Sequence, residues 1–169
     1  MTVTIPRFEL ENAGAGPDPF TLASTLEDTA TNAVVLLLQR DFYCIRCRQQ
    51  VQAVAARYDE FEAAAGLVVS ILPEPIDRVR TWQESYDLPF PLLADPSKGV
   101  VDELDQPTRF GILGNLTDFV GRMPEALVVD VRDTEPQVTF SHRGSTPGDR
   151  PSIDELLHEV TELTTAKQQ

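Results

Sequence analysis

The stretch ATNAVVLLLQ, residues 30–39, constrains this chain more than any other feature. Its apolar residues follow one another without alternation, and polar residues close both ends. A strand with one wet face alternates in character, whereas an unbroken run needs cover on both faces. The stretch therefore reads as a buried central strand. LVVSIL, residues 67–72, repeats the pattern, and PEP behind it breaks it. Between them, Val51, Val54, Ala55, Tyr58, Phe61 and Ala65 recur at three- and four-residue steps, which predicts a helix over 47–65 stopped by Gly66. Parallel strands joined through a crossover helix follow from that alternation.

The rest of the chain fits around this unit. ENAGAGPDP, residues 11–19, is the Gly- and Pro-rich turn of an N-terminal hairpin, with FEL before it and FTLAS after it as short strands. IDRVRTWQESY, residues 76–86, is amphipathic and helical; LPFPLLADP carries a short strand, and SKGVVDEL a short helix. EALVVDVRD and PQVTFSHRG read as adjacent strands, hence an antiparallel pair on the same sheet. Ser152 and Glu155 have capping-box spacing at the head of a last helix, SIDELLHEVTEL. Residues 106–121 read only as a loop or an extra hairpin. The fold class expected is α/β, a central mixed β-sheet flanked by helices with an N-terminal β-hairpin, in a single domain over residues 1–169.

Charge narrows the function. A net charge of −13 with no cluster of Lys and Arg excludes nucleic acid as a partner. No window approaches a membrane span, and MTVTIPRFELENAG lacks the basic and apolar regions of a secretory leader, so a cytoplasmic location is expected. Lys98 and Lys167 are the lysines and every other basic residue is an arginine. An acidic, lysine-poor surface of this kind suits a halophile, whose saline interior screens the self-repulsion.

Both cysteines, Cys44 and Cys47, sit three apart where the first buried strand gives way to its helix. A redox pair, half of a metal site and two inert core residues are the alternatives. Structural zinc wants four ligands, and the histidines, His142 and His158, lie far along the chain on a predicted strand and helix. Inert core cysteines would sit among apolar neighbours, whereas these sit among Arg, Ile, Arg and Gln. At a helix start, unpaired N–H groups and the positive end of the helix dipole favour a thiolate. A second cysteine one turn along can attack a mixed disulfide from within. Cys44 is thus the expected exposed nucleophile and Cys47 the buried resolver. Arg46 and Arg48, if close, would favour the thiolate further. No cofactor or metal is expected.

The strand–CxxC–helix unit in this element order resembles the thioredoxin superfamily, specifically its peroxiredoxin-like branch, the alkyl hydroperoxide reductase/thiol-specific antioxidant proteins. FELENAGAGPDPFTLAS, RDFYCIRCRQQ, YDLPFPLLADPSKGVVDEL and MPEALVVD carry the resemblance. It implies a thioredoxin-like fold with an N-terminal hairpin, and reduction of disulfides or hydroperoxides through cysteine. A thioredoxin or small thiol would serve as reductant, and many relatives form homodimers. The chain departs from the family's P-x-x-x-[TS]-x-x-C loop in either register. Counted back from Asp130, the family's arginine position holds Pro124, and the nearest arginine is Arg122. Pro124 instead matches the cis-proline that thioredoxins set beside a CxxC. Thiol–disulfide exchange is favoured over peroxide reduction, with a non-enzymatic redox sensor or binding module as the rival class.

Overall fold

The computed structural model describes residues 3–5, 7–105 and 123–168. Residues 106–121 and Arg122 lie outside them. The elements are β1 (Val3–Thr4), β2 (Glu9–Asn12), β3 (Phe20–Thr21), α1 (Leu22–Glu27), β4 (Ala33–Leu38), α2 (Ile45–Ala56), α3 (Tyr58–Ala63) and β5 (Gly66–Leu72). There follow α4 (Ile76–Tyr86), β6 (Leu92–Ala94), α5 (Gly99–Asp105), β7 (Glu125–Asp130), β8 (Gln137–Arg143) and α6 (Ile153–Gln168).

The strands form one mixed sheet in the order β1-β8-β7-β4-β5-β6-β2-β3. β4 is central: it pairs parallel with β5 and antiparallel with β7 over its full length. Every residue of β4 is buried, and successive side chains go to opposite faces. Ala33, Val35 and Leu37 pack with Val51 and Val54 of α2, Phe61 of α3, Val79 and Trp82 of α4, and Leu156 and Val160 of α6. Val34, Leu36 and Leu38 pack instead with Phe8, Phe20, Leu22 of α1, and Val101 and Leu104 of α5. The unbroken apolar run therefore has the two-sided cover that its pattern demands.

The expected hairpin is present, with Leu10 opposite Phe20. Its second arm ends sooner than the sequence suggested. Thr21 caps a short helix by accepting the Ser24 N–H at 3.3 Å, so LAS is helical. The expected helix over 47–65 begins earlier, at Ile45, and divides at Arg57 into α2 and α3. The apolar stripe runs across that break on one face, so periodicity gave no sign of it.

Candidate redox site

β4 delivers the chain to the site. Its ladder ends with Leu38 beside Glu125, and Glu125 in turn lies beside Arg143 at the end of β8. Beyond Leu38, the buried Gln39 still donates its N–H to Ile71 O at 3.0 Å. Residues 40–44 then turn tightly. Phe42 N–H bonds Glu74 Oε1 at 3.2 Å, Tyr43 N–H bonds Asp41 Oδ1 at 2.8 Å, and Cys44 N–H bonds Asp41 O at 3.4 Å. Cys44 is the N-cap of α2, and its sulfur accepts the Cys47 N–H at 3.1 Å. Cys44 and Cys47 form a disulfide with their Cα atoms 5.2 Å apart, within the ordinary range for such a bridge.

The two sulfurs differ in access. Cys44 retains 6% exposure and Cys47 none, so both are buried, which corrects the exposed Cys44 expected; Tyr43 and Ile45 on either side of Cys44 are each 69% exposed. Cys47 Sγ accepts from the Arg40 N–H at 3.4 Å and from Arg150 Nη2 at 2.9 Å; the same Nη2 lies 3.6 Å from Cys44 Sγ.

Arg150 is the residue that reading the sequence missed. Its Nη1 donates to Gln39 Oε1 at 3.0 Å and Gln50 Oε1 at 2.6 Å, and its Nε to Pro147 O at 3.0 Å. Gln39 Nε2 ties this group to Gln50 and to Ser70 Oγ. Burial, with Arg40 nearby, pushes the guanidinium down to about 10, so it is a cation at neutral pH. The loop that carries Arg150 is stapled by its neighbour Asp149. One carboxylate oxygen meets His142 Nε2 at 2.9 Å, and the other accepts from Ser145 N–H at 2.9 Å and Ser145 Oγ at 3.0 Å. These bonds hold the Asp149 carboxyl below the usual carboxylate range.

The neighbouring arginines have other duties. Arg48 donates twice to Phe42 O, at 3.0 and 2.7 Å, and its guanidinium lies 4.8 Å from the Phe42 ring centroid. Arg46 is exposed and bonds Gln49 at 3.4 Å. Neither is a hydrogen-bond partner of the sulfurs, which corrects the expectation that these two would supply the charge. Trp82 packs edge-on to Tyr86, as its helical spacing suggests, but its Nε1–H also reaches Phe42 O at 3.1 Å.

Pro124 is buried and shares a cleft with Gln50, Glu125, His142 and Arg150. Its peptide bond is not cis: among the described residues the cis bond is Asp18–Pro19. Pro124 O accepts the Gly144 N–H at 2.8 Å at the head of β7, and a trans proline is well suited to a strand start. That corrects the thioredoxin-type geometry expected there.

A family model described as the AhpC/TSA family matches residues 2–133. The chain belongs to the AhpC/TSA family. No curated protein sequence matches it. Among solved structures, a reduced 2-Cys peroxiredoxin of Plasmodium vivax superposes with a TM-score of 0.77 at 13% identity, over 98% of this chain and 97% of that one. The peroxidoxin BcpB of Mycobacterium tuberculosis gives 0.69 at 20% identity, over 98% and 96%. These likenesses establish the peroxiredoxin-type thioredoxin-like fold, and membership makes the chain a cysteine-dependent redox enzyme of the AhpC/TSA kind. Arg150 lies beyond the matched segment. No helix among the described residues is long and apolar enough to cross a membrane.

Proposed function

We propose that this protein is a thiol–disulfide oxidoreductase that cycles Cys44 and Cys47 between dithiol and disulfide. The observation that carries the reading is the unequal setting of the two sulfurs. Cys44 caps a helix N-terminus with 6% of its surface exposed, and Cys47, with none, is sealed beneath a cation. A thiolate of a reducing partner, a small thiol or a thioredoxin, attacks Cys44 Sγ. The S–S bond breaks and its electron pair leaves on Cys47, where Arg150 and the Arg40 N–H receive the charge. A second partner thiolate attacks the partner's sulfur in the mixed disulfide, forms the partner's disulfide and releases Cys44. Run in reverse, the same steps reduce a protein disulfide. The cytoplasm, where thiols are kept reduced, suits this chemistry, and the acidic, lysine-poor composition suits a saline interior.

Family membership favours a second reading, hydroperoxide reduction through the same pair. The Cys44 thiolate attacks a peroxide oxygen, the O–O bond breaks, and the alcohol leaves after taking a proton. Cys47 then attacks the Cys44 sulfenic acid, expels water and restores the disulfide. Stopped-flow Trp82 fluorescence on the reduced protein, mixed separately with a small disulfide and with hydrogen peroxide, separates the two. A fast disulfide reaction lost in Cys44→Ser, with slow peroxide kinetics, is expected; Cys47→Ser should stall at the mixed disulfide. Faster peroxide than disulfide kinetics would establish the second reading. A single oxidation with no turnover by either substrate would indicate a redox sensor.

A further inference from the structure

The chemistry of Cys44 and Cys47 does not say which way the pair prefers to run; their surroundings do. In the disulfide form, every hydrogen-bond partner of the Arg150 guanidinium among the described residues is uncharged: two glutamine carbonyls, a backbone carbonyl and the two sulfurs. Arg40 adds a like charge nearby. Glu125, buried at the head of β7, lines the same cleft but is not among these partners. Asp149 turns its carboxylate to Ser145 and His142. For a half-buried cation whose hydrogen-bond partners among the described residues are all neutral, any change that puts an anion among them is favourable. Reduction does so, because a thiolate forms at the sulfurs that Nη2 already touches.

We propose that Arg150 makes Cys44–Cys47 an oxidising couple, by holding the reduced pair with one proton shared between its two sulfurs. The proposal rests on the reversible-pair reading above. It follows that the disulfide is the less favoured partner and that the protein readily passes oxidation onward or accepts reduction, since stabilising the reduced form raises the potential. With glutathione as reductant, two reduced glutathiones and the protein disulfide give one oxidised glutathione, one protein thiol, one protein thiolate and one released proton. Two electrons enter the protein sulfurs, one S–S bond breaks and one forms.

The test is equilibration of the full chain against mixtures of reduced and oxidised glutathione from pH 6 to 8, with thiolate absorbance at 240 nm read alongside. For the native protein, the equilibrium constant for reduction should rise about tenfold per pH unit, the mark of one released proton. Arg150→Gln should lower that constant at pH 7 at least tenfold, flatten its pH dependence and remove the thiolate absorbance. Arg150→Lys keeps the cation and should retain most of both. Circular dichroism establishes that each variant is folded, and if Arg150→Gln does not fold, the Lys variant and the native pH slope still decide. A native constant independent of pH, or a folded Arg150→Gln with an unchanged constant and slope, overturns the proposal. A native protein that never reaches equilibrium with glutathione overturns the reversible-pair reading, and the proposal with it.

Discussion

Two segments meet at the sulfurs, and they are built by different rules. Residues 40–50 are local: a buried strand ends, a turn closes on Asp41 and Glu74, and Cys44 caps the helix that Cys47 enters. Residues 144–150 come from the far side of the sequence and hold their shape through Asp149, His142 and Ser145. The first segment supplies the two sulfurs and the second supplies the charge beside them. A short motif can therefore declare the chemistry while leaving its energetics to topology. Arg48, next to the cysteines, shapes the turn, and the arginine some hundred residues away faces the sulfurs.

Perturbing each segment separately tests that division. The largest effect should come from Gly144→Ala. A Cβ there would stand 2.9 Å from Pro124 Cγ and 3.0 Å from Thr146 O, and overpacking of this kind costs on the order of 1–3 kcal/mol. The melting temperature should drop, and iodoacetamide should alkylate the reduced pair more slowly at pH 7 because Arg150 is carried out of place. A smaller effect is expected from Arg48→Ala, which loses its bonds to Phe42 O and its stacking, a loss of about 1 kcal/mol. Its alkylation rate should stay near the native value. A large fall in reactivity there would break the comparison, by giving the local arginine the role assigned to the distant one.

The smallest effect is a titration. The Asp149 carboxyl sits below its usual value of 3.8, held chiefly by the Ser145 N–H and then by His142. A group depressed in the folded state contributes stability that is complete above its unfolded pKa and is lost as pH falls through the folded one. The Ser145 amide resonance should therefore titrate below pH 3.8, and in His142→Gln its midpoint should move up. An unchanged midpoint would remove His142 from the staple.

Much of this was legible in the sequence, for reasons that can be named. β4 and β5 announced themselves because burial on both faces leaves no room for alternation. α4 matched residues 76–86 because proline precedes it and its amphipathic stripe is complete. The CxxC could be placed because its function needs a strand end and a helix start, and both are local signals. Arg150 could not be found that way, since GDRPS carries no periodicity and no spacing to the cysteines. Topology held the one available clue. β7 runs antiparallel to β4, and β8 antiparallel to β7, so β8 must end where β4 ends. Its following loop had to arrive beside the cysteines. The trans peptide at Pro124 was hidden for a related reason, because proline at a strand start and proline beside a thiol pair look alike in one dimension.

The bond from Trp82 to the Phe42 carbonyl has an optical consequence. The chain has a single tryptophan, anchored to the same carbonyl that Arg48 grips, two residues before Cys44. Any rearrangement of that turn changes the indole's hydrogen bond and its distance from a guanidinium, 5.5 Å in the disulfide form. Its emission colour and intensity therefore provide a label-free signal of the turn's state, already placed inside the molecule.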